Sequence, residues 1–125
     1  MIVGLGLDIV EIERVQGMLD RWGDRFLRKV FTEKEIDYCN RYGSSADHFA
    51  GRFAAKEAAM KALGVGWGAS AVWHEVEVLN EESGKPVLSM KGGTAGLAEE
   101  LGVRAKHVSI SHSQTSACAV VVLGS

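Results

Sequence analysis

The chain has 125 residues, 46% of them hydrophobic and 24% charged, with a formal net charge of −2. That length predicts one domain able to bury about two-thirds of its extended surface. The charge balance excludes a chain built as a whole for nucleic acid, so any basic patch must be local. No run approaches the ~20 apolar residues of a membrane span. The opening MIVGLGLDIVEIERV has no basic leader and meets Asp8, so no secretory signal is expected. Cys39 and Cys118 lack metal-ligand spacing and read as small hydrophobes in a reducing compartment. A cytoplasmic location is the expectation.

Residues 2–10 alternate, with Val3, Leu5, Leu7 and Ile9 on one face of a strand and Gly4, Gly6 and Asp8 on the other. Glycines on one face admit a neighbouring backbone or a ligand; the plainer alternative is an edge strand ending in a solvated Asp8. From about Glu13 to Trp22 the period becomes helical, and Ile12, Val15, Leu19 and Trp22 form the expected buried stripe. Beside it runs a second stripe of Arg14, Met18 and Arg21, extended past Gly23 by Arg25 and Arg28. Such a run is either a solvated face with local pairing, for example Asp24 to Arg28, or a docking surface for an acidic partner. Gly23 is expected to end the first helix, with Asp24 capping a short continuation.

Thr32-Glu33-Lys34-Glu35 predicts a capping box opening a helix to about Tyr42. A loop follows, and Ser45 or Asp47 caps a long helix that runs to Leu63 and stops at Gly64. Gly64-Val65-Gly66-Trp67-Gly68 is either a phosphate cradle or a flexible connector. Strands are expected over 72–79 and 87–90, separated by a polar turn. A short helix over 94–101 closes at Gly102, and strands follow over 107–113 and 116–123. Val108, Ile110 and His112 share a face, so His112 is a core-edge histidine or a ligand contact.

Within the long helix, Glu57 and Lys61 stand one turn apart on one face. Two readings fit. One is a surface ion pair worth about 0.3–0.5 kcal/mol. The other is a metal-ligating carboxylate beside a phosphate-binding lysine, which needs a second carboxylate; Asp8 is the candidate. Paired carboxylates with no His/Cys cluster suit Mg²⁺ rather than zinc, and no serine sits on a nucleophile elbow.

GLGLDIVEIERV at 4–15, FTEKEIDYC at 31–39, RFAAKEAAMKALGVG at 52–66, GKPVL at 84–88 and SISHSQTSACAVVV at 109–122 follow one another along nearly the whole chain. Together they resemble the ordered motif set of the holo-[acyl-carrier-protein] synthases, within the 4'-phosphopantetheinyl transferases. The resemblance implies an α+β fold over 1–125, a mainly antiparallel sheet packed against a long helix and shorter helices in a single domain. It implies Mg²⁺-dependent transfer of 4'-phosphopantetheine from coenzyme A to a serine of apo-acyl carrier protein, in fatty acid biosynthesis. Adenosine 3',5'-bisphosphate is the other product. By matching position, Asp8 and Glu57 are the expected metal ligands, and Asp8, Glu57 and Lys61 the catalytic residues. The serine is deprotonated by Glu57 or by a metal-held water. Arg52, Lys56, Lys61, Gly64, Pro86 and His112 are expected to line the coenzyme A site. Arg14, Met18, Arg21, Arg25 and Phe26 are expected to meet the carrier protein. Small members are homotrimers with active sites between subunits. Val65 stands where many members carry threonine.

Two other readings compete. A cyclodiphosphate synthase also opens on a Gly-x-Asp strand, but needs a zinc-binding histidine where this chain has Val10. A non-catalytic α+β module would use the Arg14/Met18/Arg21 face to hold an acidic protein, and would leave Lys56, Glu57 and Lys61 without a purpose.

Overall fold

The computed structural model describes residues 1–41, 45–66 and 73–125, with Ser45 described by its backbone alone. Strand β1 (Ile2–Glu11) leads into helices α1 (Ile12–Trp22), α2 (Asp24–Val30), α3 (Glu33–Asn40) and α4 (Ser45–Leu63). A 3-10 turn (Trp73–Glu75) precedes strands β2 (Val76–Asn80) and β3 (Pro86–Met90), helix α5 (Gly92–Glu100), and strands β4 (Ala105–His112) and β5 (Ser116–Gly124). Among the described residues all pairings are antiparallel: one sheet is ordered β1-β5-β4 and the other is the β2-β3 hairpin. The architecture is α+β, as the resemblance implies.

The centre is α4, whose alanines Ala50, Ala54, Ala55, Ala58, Ala59 and Ala62 are all buried. A helix this apolar around its whole circumference belongs inside a core. Small side chains also let a neighbour reach its backbone, and β1 does so. A Cβ added at Gly4 would collide with the carbonyl of Ala62, and one at Gly6 with the carbonyl of Ala58. Two strand residues advance about 6.6 Å and four helix residues about 6 Å. Strand and helix therefore stay in step from Gly4/Ala62 to Gly6/Ala58. Asp8 follows two residues on along the same inner face, where the Lys61 side chain reaches it.

The glycine face of β1 is thus the inner one. Its apolar face points outward: Leu5 is 63% exposed, Leu7 65% and Ile9 69%. Cross-strand register places Val122, Val120 and Cys118 of β5 beside them, all half-buried. β1 is an edge strand, as one sequence reading held, but Asp8 is buried.

The Thr32 capping box forms, with Thr32 Oγ1 accepting from Glu35 N and Glu35 Oε1 from Thr32 N. Asp24 is the first residue of α2 and makes no cap bond; Gly23, at φ 51°, holds the cap position. Trp22 departs from the expected stripe. Ile12 and Val15 are buried, but the tryptophan is 47% exposed because α1 runs past the core edge before Gly23 turns the chain. The 72–79 strand begins only at Val76, since the 3-10 turn occupies Trp73–Glu75, and Val72 and Trp67 lie outside the described residues. The strand expected over 107–113 starts earlier, at Ala105, and the helix expected over 94–101 at Gly92. Among the described residues, no helix is long and apolar enough to cross a membrane.

Because the β1–α4 contact is backbone on backbone, Gly6→Val is expected to cost about 3 kcal/mol or more, read as a lowered denaturant midpoint. Gly17→Ala, where an added Cβ meets nothing within 4 Å, is the control and should leave the midpoint unchanged or raised.

Candidate active site

Asp8 reaches α4 alongside Lys61. Its Oδ1 accepts from Lys61 Nζ at 2.9 Å, and the same ammonium donates to the backbone oxygen of Leu7 at 3.0 Å. The Glu57–Lys61 surface ion pair, one of the two sequence readings, is not what forms. Among the described residues the two ion pairs are Lys61–Asp8 and Lys56–Glu35. Glu57 is half-buried. Burial, then the Asp8 carboxyl beside it, pushes the Glu57 carboxyl up to about 7, against the pull of Lys61 and Arg14. Asp8 Oδ2 is buried without a hydrogen-bond partner among the described residues.

Two acidic groups crowded together, one with an orphaned buried oxygen, fit a hard divalent cation. The cation would satisfy that oxygen and remove the repulsion that holds the Glu57 carboxyl up. The described residues hold no group of three or more His, Cys, Asp or Glu side chains able to bind a metal. Water and substrate oxygens would have to complete the shell, which is how Mg²⁺ is ordinarily held. Glu57, Met60, Lys61, Val65 and Gly66 line a hollow of about 140 Å³ beside the acids. Gly64 ends α4 at φ 78° and turns the chain into that hollow. Val65 is half-buried there and packs against the core.

Lys56 is placed differently. Its side chain is fully buried, and Nζ donates to Glu35 Oε1 at 2.7 Å, to the Trp73 carbonyl at 2.9 Å and to the Val76 carbonyl at 2.7 Å. Those three contacts use all three ammonium hydrogens. Burial pulls its pKa down, and Glu35 counters it. Glu35 in turn accepts from Val78 N at 2.8 Å. The pair therefore clamps α3, α4 and β2 together, and its lysine has no donor left for a phosphate.

Arg52 sits on another side of α4, five residues and about 140° from Glu57. Its guanidinium lies 4.2 Å from the Tyr38 ring centroid and donates to the His48 carbonyl and to Asn80 Oδ1. Its Nε is buried without a partner among the described residues. Asn80 is paired with Pro86 across the hairpin and donates to the Gly84 carbonyl at 2.7 Å. His48 feels the charges of both Arg52 and His112, though burial is the main reason its pKa is lowered. The structure therefore gathers Arg52, Pro86 and His112 into one neighbourhood with His48 and Asn80, away from Glu57 and Lys61. Sequence reading missed His48, although it lies one helical turn before Arg52. It had no signal for Asn80, which arrives from β2.

The arginine stripe lies as expected. Arg14, Arg21 and Arg25 are exposed and Met18 half-buried. Phe26 is buried against the Phe31 and Phe53 rings. A groove of about 370 Å³ opens between these helices, with Arg14, Met18, Arg25 and Phe26 on its walls and Phe53 and Trp73 beneath. Arg14 joins the groove to the acid pair, since its charge acts on Glu57.

This is a small α+β fold carrying an acid pair and a lysine where an edge strand meets a buried helix. Residues 4–121 match the model of the 4'-phosphopantetheinyl transferase superfamily, and the chain belongs to that superfamily. Within it the chain is similar to holo-[acyl-carrier-protein] synthases over its whole length. It is 46% identical to the one from Koribacter versatilis, covering 98% of both chains. The crystal structure of the Neisseria meningitidis holo-[acyl-carrier-protein] synthase superposes with a TM-score of 0.91 at 29% identity, covering 100% of each chain. That of the Bacillus anthracis enzyme, in complex with coenzyme A (3',5'-ADP), gives 0.81 at 38% identity over 98% of this chain and 96% of that one.

Two measurements separate the roles of the two lysines and of Glu57. Lys56→Met leaves Glu35 buried and unpaired and should cost about 3–5 kcal/mol in denaturant unfolding, whereas Lys61→Met, which removes an ammonium more than half exposed to water, should cost less. Glu57 binds a proton in the folded state that the unfolded chain has lost between pH 4.5 and about 7. The stability it contributes is full below that window and is lost as pH rises through it. The metal-free melting temperature should therefore fall from pH 5 to 8, and Glu57→Gln should flatten that slope.

Proposed function

We infer that this chain transfers 4'-phosphopantetheine from coenzyme A to a serine of apo-acyl carrier protein, releasing adenosine 3',5'-bisphosphate. The observation that carries the reading is the Asp8–Glu57–Lys61 cluster in a chain that matches holo-[acyl-carrier-protein] synthases from end to end. The whole chain acts as one domain, with its metabolic place in fatty acid synthesis and its location in the cytoplasm.

Asp8 and Glu57 would hold Mg²⁺, which when bound neutralises charge on the diphosphate of coenzyme A and on the leaving phosphate. The other contributions come from the protein itself. Glu57, or a water held beside the acids, takes the proton of the carrier serine. Lys61 keeps a positive charge beside the acids, where negative charge gathers as the phosphoanhydride breaks. Gly64 lets the chain turn close to the diphosphate without a side chain in the way. Arg52, Pro86 and His112 serve the nucleotide end of coenzyme A. Lys56, with its donors used internally, acts through the fold alone. Arg14, Met18, Arg21, Arg25 and Phe26 receive the acidic carrier protein, and Arg14 brings its serine toward Glu57.

The working form is a homotrimer with active sites between subunits. Two observations support it. The Leu5, Leu7 and Ile9 face is an exposed apolar sheet surface of the kind that marks an interface. Within one chain, Arg52 and Glu57 point to different sides of α4, and His112 stands two strands, about 10 Å, across the sheet from the Asp8 edge. A second copy brings the missing half to each centre.

Purified protein with coenzyme A, Mg²⁺ and an apo-carrier protein should add one phosphopantetheine arm to the carrier, read by mass; no gain at saturating metal and low salt refutes the transferase. Asp8→Ala and Glu57→Ala should each lower turnover by about a thousandfold, and Lys61→Ala by about a hundredfold. For the shared site, Leu7→Glu with Ile9→Glu should give an inactive monomer by sedimentation. Mixing inactive Glu57→Ala chains with impaired His112→Ala chains should restore activity, because some mixed centres carry both residues; no restoration means each chain builds its own site.

A further inference from the structure

Trp22 is a large aromatic side chain left half in water at the end of α1, and nothing in the catalytic chemistry uses it. Its ring is not bare. The guanidinium carbon of Arg21 lies 5.1 Å from the ring centroid and that of Arg25 lies 5.9 Å from it. The two arginines come from different helices. They meet over one indole because Gly23, at φ 51°, folds α2 back against the end of α1. Trp22 also lines the 370 Å³ groove, together with Arg14 and Lys29.

We propose that Trp22 is a positioning residue for carrier recognition, stacking the Arg21 and Arg25 guanidinium groups so that they face a pair of carboxylates on the acyl carrier protein. The inference rests on the transferase reading above. Cations this close on one surface repel one another, and each arginine left alone would sample many rotamers. A neighbouring acid would hold them, but would also use their hydrogen-bond donors. Among the described residues neither ion pair involves Arg21 or Arg25. An aromatic ring holds a guanidinium through its flat face instead. The in-plane N–H groups remain free for a carboxylate from outside. The ring thus does before docking the ordering that the partner would otherwise impose during it. The occupant is an acidic protein, because the groove rim carries Arg14, Arg25 and Lys29 and no carboxylate, and Arg14 connects it to Glu57.

Steady-state transfer kinetics with an acidic apo-carrier protein, coenzyme A and Mg²⁺ test this. Trp22→Ala should raise KM for the carrier about fivefold to tenfold, leaving kcat and KM for coenzyme A within about twofold of the parent. An unchanged coenzyme A KM also reports that the fold is intact. Trp22→Phe, which keeps a π face and cannot collapse the helix, should recover most of the carrier KM. In an Arg21→Gln/Arg25→Gln background, Trp22→Ala should have almost no further effect, since the ring acts through those arginines. The proposal is overturned if Trp22→Ala leaves the carrier KM unchanged, or if its effect is equally large in both backgrounds, which makes the ring a direct contact. It is also overturned if Trp22→Phe is no better than alanine. Parent protein that transfers nothing overturns the transferase reading itself and this proposal with it.

Discussion

The contact between the glycines of β1 and the alanines of α4 sets the position of everything chemical in this protein. Neither element carries side-chain bulk where they meet, so the strand backbone lies against the helix backbone and cannot slide or turn without collision. The matched step of strand and helix then leaves no freedom in where Asp8 falls. Asp8 arrives buried, and one of its oxygens is left without a hydrogen-bond partner among the described residues. The strain of two crowded acidic groups is held by packing that has no rotamers to relax.

The charged residues of α4 divide by how water reaches them. Lys56 and Glu35 are sealed inside, and each hydrogen of the ammonium has a fixed acceptor. Such a pair adds little net stability over an apolar pair, but removing either partner is severe. Its value lies in register: it ties the capping box of α3 to the first residues of β2. Lys61, in the last turn of α4, keeps more than half of its side chain in water. A lysine in that state can exchange partners as charge moves. One helix therefore carries a fixed cation and an exchangeable one only five positions apart.

Much of the fold could be read from the residues. The capping box, the glycine stops and the alternation of β5 all announce themselves locally. The two faces of β1 were equally clear, but which one looks inward was not. Alternation reports that two faces differ; the choice depended on α4 being alanine at the opposing positions, a relation between segments fifty residues apart. The same limit applied to Trp22. A helical stripe continues smoothly in sequence, whereas the core it packs on has an edge. At the site, Glu57 and Lys61 were visible as a pair, yet their helical spacing suggested that they bind each other. The carboxylate Lys61 in fact holds comes from the strand, and a spacing within one helix cannot contain it. Lys56 shows the converse: its neighbours in sequence are catalytic candidates, and only the positions of Glu35 and the Trp73 and Val76 carbonyls remove it from that group.

Lys61 has one more partner, the backbone oxygen of Leu7. β1 is the outer strand of its sheet, and most of its exposed side chains are leucine, isoleucine and valine. An outer strand of that composition is a template on which another chain can grow a sheet, and proteins commonly guard such strands with lysine. The side chain that balances the acids thus also occupies one of the carbonyls through which unwanted strand addition would proceed. The proposed chemistry and the protection of the strand edge would then share one ammonium group. A chain that lost it would become less active and more adhesive together, and the second defect could pass for the first in any assay that counts only turnover.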